Sequence, residues 1–161
     1  MTKKFKISLP VEKRIILHLL EYIKLRNTIE GSDAITQQGI AKATGIRIEH
    51  VSRSVKRIKT DGYVFVRSTY IKDQNRHKKA YFLTKEGIKY AREIQSWFDK
   101  KSILIRTLDN EIREIKFYEI DKFINFRIKP LEVFKFTTDS NDCVLDLKKI
   151  IRNRNNIDIN N

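Results

Sequence analysis

The sequence predicts an α+β fold: a helix-turn-helix and a strand hairpin, followed by a small α/β region of a hairpin and short helices. Gly45 separates two helical patterns, the second helix is strongly basic, and two strand-like segments flank a polar run after it. Glycine tolerates the positive φ that a tight connection between two steeply crossing helices requires. The 161 residues, 40% of them hydrophobic, suffice for one good-sized domain or two small ones.

The elements before Gly45 are expected to form the support of this motif. Apolar residues recur on one side of a first helix from Val11 to Arg26, which also carries His18, interpreted as a packing histidine. A loop from Asn27 to Asp33 leads to a short strand or turn near Ile35. Thr36 is placed to cap a second helix, because a hydroxyl can accept from the free amides of a first turn.

The helix after Gly45 has an apolar face and a polar face. Val51, Val55 and Ile58 recur at spacings of four and three, which places them on the core side. Glu49 opposes the charge of the polar face, and it is tolerated if it pairs with Arg53, four residues on, or accepts from the amine of a cytosine. Arginine can bond two acceptors of a guanine edge, and Lys or Ser reach phosphates. The polar side chains predicted to contact DNA from this helix are Arg47, His50, Ser52, Arg53, Lys56 and Arg57.

A hairpin with a basic tip is expected next. Asp61 and Gly62 end the helix, residues 63–68 alternate as a strand does, and a second strand is expected from Ala80 to Leu83. The polar run between the strands is free to contact phosphate, and Arg76 could enter a narrow minor groove. The DNA-contacting candidates here are Lys72, Arg76, His77, Lys78 and Lys79, joined by Thr36 and Gln37 from the start of the second helix.

Residues 10 to 98 resemble the winged helix-turn-helix regulators of the MarR type and their archaeal relatives. The resemblance rests on ITQQGIAKATGI, on VSRSVKRIKTDGYV and on DQNRHKKAYFLTKEG. It implies that residues 47 to 57 are the recognition helix and that Arg76 is the wing arginine. Two features depart from the family: Arg47 stands where a Ser or Thr cap is usual, and the residues after Trp97 do not resemble its long terminal dimerisation helices.

The remaining residues are expected to form a separate region. A helix should start at Thr84 and end near Phe98, and a β-hairpin should run from Ile103 to Phe117 with its turn at Asp109. A short helix is expected near Ile120, whereas residues 131–136 receive no assignment. Asp142 is expected to cap a last helix with an apolar stripe of Val144, Leu147 and Ile151.

These patterns divide the chain into a DNA-binding domain (residues 1–98), a dimerisation or docking region (99–152) and a flexible polar tail (153–161). The first 98 residues carry a net charge of +12 and the rest +2. A strongly basic domain indicates a polyanionic partner. The narrow apolar stripe of the last helix predicts a homodimer.

Enzymatic motifs are missing from the sequence. It contains no Gly-rich phosphate loop, no G-x-S-x-G and no H-E-x-x-H, and its lone Cys143 has no metal-ligand spacing with the three histidines. We therefore expect no enzyme, no cofactor, no bound metal and a reducing, cytoplasmic location, and the sequence shows neither a signal peptide nor a membrane span.

The sequence favours a sequence-specific regulator of transcription that binds double-stranded DNA. Two other hypotheses stay open: a winged-helix module of a replication, plasmid or signalling assembly that acts through protein contacts, and an RNA-binding winged helix. Phosphate chemistry alone does not separate DNA from RNA.

Overall fold

The computed structural model describes residues 9–133 and 144–159, so Asp142, Cys143 and residues 134–136 of the unassigned segment lie outside it. The described residues form two compact units, an amino-terminal unit from Leu9 to Gln95 and a carboxy-terminal unit from Ser96 onward.

The amino-terminal unit has the order helix, helix, helix, hairpin, helix. Its sheet has the strand order β1 (Glu30–Gly31), β2 (Val64–Ile71), β3 (Arg76–Leu83), with β1 parallel and β3 antiparallel to β2. The elements are α1 (Val11–Leu20), a 3-10 helix (Ile23–Asn27), β1 (Glu30–Gly31), a 3-10 helix (Asp33–Ile35), α2 (Gln37–Thr44), α3 (Ile48–Thr60), β2 (Val64–Ile71), a 3-10 turn (Lys72–Gln74), β3 (Arg76–Leu83) and α4 (Lys85–Asp99), whose last residues belong to the second unit.

The first helix is shorter than the sequence predicts. It ends at Leu20, and the tighter 3-10 helix replaces its expected last turn up to Arg26. Arg67 of β2 provides a physical reason, because its guanidinium donates to the carbonyl oxygens of Arg26 and Thr28, both at 2.9 Å. The same group lies 4.4 Å from the ring centroid of Phe82. This cation therefore has a structural role at the end of the 3-10 helix.

The core of this unit is the one expected. Val51, Val55 and Ile58 of α3 are at most 2% exposed, which confirms the predicted face. His18 is also buried, and its Nε2 lies 2.8 Å from the carbonyl oxygen of Ala34, where it can donate. This contact confirms the interpretation of His18 as a packing histidine with a satisfied ring.

The turn between α2 and α3 follows the predicted chemistry. Gly45 has φ 69°, and its amide donates to the carbonyl of Ala41 at 3.0 Å. Thr36 caps α2 by accepting from the amide of Gly39 at 3.2 Å. Arg47 precedes α3 without a side-chain cap bond. The structure thus confirms the predicted cap at Thr36. It also shows that Arg47, which stands where a capping Ser or Thr is usual, does not cap α3.

The carboxy-terminal unit contains the predicted hairpin and a third strand. Asn110 takes the left-handed conformation in the hairpin turn, with φ 66°. The strands of its sheet follow the order β5 (Ile112–Lys116), β4 (Ser102–Arg106), β6 (Val144–Asp146), and β6 runs parallel to β4. The unit also contains a 3-10 helix (Phe117–Lys122) and a last helix, α5 (Leu147–Ile159).

The last helix differs from the expected one at both ends. Val144 lies in β6, opposite Leu104, and α5 begins at Leu147 with the carboxylate of Asp146 accepting from the amide of Lys148 at 3.0 Å. The backbone of residues 153–159, expected as a flexible tail, is helical. Leu147 is fully buried within its own unit, and Ile151 packs partly buried against the same core. Val144 is therefore not part of a helical stripe, and Leu147 and Ile151 pack within their own unit without needing a dimer partner.

Among the helices of residues 9–133 and 144–159, none combines the length and the apolar character needed to cross a bilayer.

Gly39 and Gly45 allow the close packing at the start of α2 to be tested. A Cβ on Gly39 would come within 1.9 Å of the carbonyl oxygen of Asp33, whereas a Cβ on Gly45 would meet no atom within 4 Å. We expect Gly39→Ala to lower the free energy of unfolding by about 3 kcal/mol or more through overpacking against backbone. Gly45→Ala should cost about 1 kcal/mol through its positive φ alone. Urea unfolding of both variants measures the difference, and equal losses would contradict it.

Candidate nucleic-acid interface

A cleft lies between α3 and the β2–β3 hairpin, which we call the wing. This wing cleft has a volume of about 630 Å³. Two helices and the wing contribute to it: the start of α2, one side of α3, and the strands of the wing. Its lining residues are Thr36, Gln37, Gln38, Ile48, Val55, Lys56, Lys59, Val66, Arg76, His77, Lys78, Lys79 and Tyr81.

The charge of the wing cleft is one-sided. No Asp or Glu is among the described residues that line it. Lys56, Lys59, Arg76 and Lys79 are exposed and form no ion pair with any described carboxylate. Converging cations without counter-charges raise the local positive potential and attract an anion.

Lys78 is the exception among these cations. Its Nζ lies 2.9 Å from Asp33 Oδ1 and 3.3 Å from Gln38 Oε1, and its side chain is 14% exposed. The bond from Lys78 holds the pKa of Asp33 below its ordinary value. We expected Lys78 at a phosphate, but its ammonium instead joins β3 to the start of α2.

Two further polar side chains at the start of α2 already have partners. Gln37 donates through Nε2 to the hydroxyl of Tyr81 on β3 at 2.8 Å. Thr36, predicted as a DNA contact, is 4% exposed, and its hydroxyl caps α2 while donating to the carbonyl of Asp33 at 2.7 Å. Gln37 therefore connects α2 to the wing, whereas Thr36 fixes the start of α2 itself.

The outward face of α3 carries fewer free cations than predicted. At 100° per residue, Glu49, Arg53 and Lys56 lie opposite the buried side. Arg53 Nε donates weakly to the backbone carbonyl of Glu49 at 3.4 Å, and not to its carboxylate. His50 is exposed and Ser52 is half-buried.

Arg57 and Arg47 lie away from the wing cleft. Arg57 Nη1 is 2.8 Å from Glu12 Oε1 on α1, although the Arg57 side chain remains 71% exposed. Arg47 is exposed just before α3 and does not line the cleft. The structure therefore does not gather all the predicted arginines on one surface.

The wing tip is shorter than the sequence predicts. The strand β3 begins at Arg76, opposite Ile71, and not at Ala80. Asn75 turns the chain with φ 47°, and its side chain accepts from the hydroxyl of Tyr70. This bond and the continued strand pairing explain why the polar residues 76–79 extend β3. The tip proper retains Lys72, while His77 lies against the Tyr70 ring with centroids 5.5 Å apart.

Six lining residues were not among the candidates from the sequence: the polar Gln38 and Lys59, and the apolar or aromatic Ile48, Val55, Val66 and Tyr81. The helical spacing of three between Lys56 and Lys59 was a usable signal, because both fall on the flank of α3 next to Val55. Ile48 gave no such signal, yet it is 41% exposed in the structure. No group of three potential metal ligands occurs within residues 9–133 and 144–159.

The Asp33–Lys78 ion pair can be tested by its contribution to stability. Asp33→Asn leaves a poorly exposed ammonium without its counter-charge, so we expect a loss of about 1 kcal/mol at neutral pH. Since the folded pKa of Asp33 is lowered, the pair stabilises above the ordinary value of 3.8 and loses its effect as pH falls through the lowered pKa. The loss should therefore be constant between about pH 5 and 8.

The matched control is Glu12→Gln, which removes the more exposed ion pair with Arg57 and should cost only a few tenths of a kcal/mol, roughly 0.3. Thermal unfolding of the wild type and both variants across this pH range is the measurement. Equal costs for the two variants would show that the Asp33–Lys78 pair has no special role.

No protein-family model and no curated protein sequence matches the chain. A solved structure that it resembles is described as "Crystal structure of S. aureus MepR-DNA complex", with 25% sequence identity and a TM-score of 0.40. The similarity covers 56% of this chain and 58% of that chain, so the chain spans little more than half the length of the protein it matches.

Proposed function

We propose that the chain is a sequence-specific regulator of transcription that binds double-stranded DNA, with α3 in the major groove and the wing on the backbone or the minor groove. The observation that carries this proposal is the wing cleft, where four exposed cations without carboxylate partners face the space between α3 and β3. Duplex DNA offers a continuous row of phosphates that such cations can neutralise.

The dimensions and side chains of α3 suit base reading. Its 13 residues make a helix about 20 Å long. Arg53, on the outward face, is assigned to a base edge, where a guanidinium fork can bond two acceptors. His50 and Ser52 flank it. Ile48, exposed beside the cleft, is suited to the methyl group of a thymine.

The cations of the cleft are assigned to the phosphate backbone. Lys56 and Lys59 extend from α3, and Arg76 and Lys79 from β3, so one DNA strand between helix and wing would meet both sets. Lys72 at the wing tip is assigned to the adjoining minor groove or backbone. Lys78, Thr36 and Gln37 position these groups and are not assigned to DNA.

We also propose that the regulator acts as a homodimer through its carboxy-terminal unit. The buried stripe of α5 no longer supports this idea, but other side chains do. Exposed large hydrophobic residues of that unit are Trp97, Leu108, Ile112 and Tyr118. A dimer that reads two half-sites of a duplex needs its two recognition helices about one duplex turn, roughly 34 Å, apart.

The salt dependence of DNA binding tests both the partner and the stoichiometry. About four phosphates neutralised per wing cleft predict a slope of log affinity against log salt near −4 for a monomer and near −7 for a dimer. Fluorescence anisotropy with a labelled duplex, repeated with a structured RNA of equal length, is the measurement. A slope near −1, or tighter binding to the RNA, would refute the proposal.

Two substitutions separate base contacts from backbone contacts. Arg53→Ala should cost about 1 to 3 kcal/mol on the preferred site and reduce the preference over random DNA. Lys59→Ala should weaken all sequences alike and lower the salt slope by about 1 per chain. Lys24→Ala, an exposed change outside the cleft, is the charge-matched control for Lys59. Identical effects of the Arg53 and Lys59 substitutions would mean that α3 does not read bases.

A further inference from the structure

The wing cleft has an apolar floor beneath its cations. Val55 is 1% exposed and Tyr81 is 6% exposed, yet both line the cleft. Val66 and the partly exposed Ile48 complete this apolar part. The sugar-phosphate backbone of DNA is polar and charged, so contact with it does not require an apolar floor.

The size of the cleft is that of a small-molecule site. Pockets for small ligands typically measure about 300 to 1,000 Å³, with apolar walls and a few polar groups that fix orientation, and about 630 Å³ falls within that range. The polar groups are the side-chain amides of Gln37 and Gln38. The Gln37 amide donates to the hydroxyl of Tyr81 on β3, and the Gln38 amide oxygen accepts from the ammonium of Lys78 on β3. These bonds restrict two amides beside the apolar floor.

The charges of the cleft define the ligand further. Four exposed cations and no lining carboxylate among the described residues exclude a cationic ligand and favour one with several negative charges. Lysine ammonium groups bind phosphate as point charges, and arginine adds a bidentate fork. A ligand that satisfies both parts of the cleft has a phosphorylated end and an apolar or aromatic body.

We propose that the wing cleft binds a phosphorylated small molecule of nucleotide size and that this binding excludes DNA. The exclusion rests on the proposed function, because the cations that would hold the ligand's phosphates are those assigned to the DNA backbone: Lys56, Lys59, Arg76 and Lys79. Since the two partners compete for one set of charges, each lowers the affinity for the other by the same factor.

The first experiment measures the small molecule without DNA. The full chain is titrated calorimetrically at an ionic strength of about 0.15 M with adenosine triphosphate, inorganic triphosphate and adenosine. We expect the nucleotide to bind one site per chain at least about tenfold more tightly than inorganic triphosphate, because the floor contributes in addition to the charges. Equal affinity for the nucleotide and inorganic triphosphate would overturn the proposal, since it would reflect charge alone.

Variants locate the site. Lys59→Gln with Lys79→Gln should weaken nucleotide binding at least about tenfold, while Lys24→Gln with Lys89→Gln, the same charge change outside the cleft, should alter it less than about twofold. Ile48→Ser should weaken the nucleotide and leave inorganic triphosphate unchanged. Circular dichroism checks that each variant is folded. Equal losses in the two double variants would place the ligand elsewhere and overturn the proposal.

The second experiment adds nucleotide to the chain bound to a labelled duplex, with inorganic triphosphate and sodium chloride at matched ionic strength as controls. Displacement by the nucleotide beyond both controls supports the proposal. DNA binding that persists at saturating nucleotide would overturn the exclusion and leave the proposed function intact. If the nucleotide binds in the cleft but no duplex binds, the proposed function fails and only the small-molecule site remains supported.

Discussion

The attachment of β3 to the start of α2 is the constraint on which the candidate site depends. The Asp33–Lys78 ion pair and the Gln37–Tyr81 bond connect residues 44 or more positions apart in the sequence. These bonds fix β3 against the segment that leads into α2, which forms one side of the wing cleft. The Arg67 bonds to the carbonyl groups of Arg26 and Thr28 attach the other strand of the hairpin, β2.

The partners of the basic residues matter more than their number. Arg67 is bound to backbone carbonyl groups, Arg57 to Glu12 and Lys78 to Asp33. Each of these contacts reduces what the cation can offer a ligand, because its charge is already partly neutralised or its donors are already used. The net charge of the domain consequently overstates the charge that converges on the wing cleft, where Lys56, Lys59, Arg76 and Lys79 pair with no described carboxylate.

The carboxy-terminal unit closes its own core by adding a strand from a distant part of the chain. β6 pairs in parallel with β4, and the chain then enters α5, whose Leu147 and Ile150 are buried beside β4's Ile105. Such a strand requires a long connection, which separates it from its partner in the sequence. Among the residues of this unit whose exposure the structure describes, the exposed large apolar ones, Trp97, Leu108, Ile112 and Tyr118, lie outside α5.

The sequence by itself determined the local structure of this protein. The Thr36 cap, the positive φ at Gly45 and the buried face of α3 each follow from neighbouring residues, so a pattern of a few positions predicts them. Only the tertiary structure decided the partners of Lys78 and Arg57, the early start of β3 and the strand at Val144. These depend on side chains or strands brought together from distant positions. A charge or an apolar residue in the sequence does not reveal which distant group neutralises or covers it.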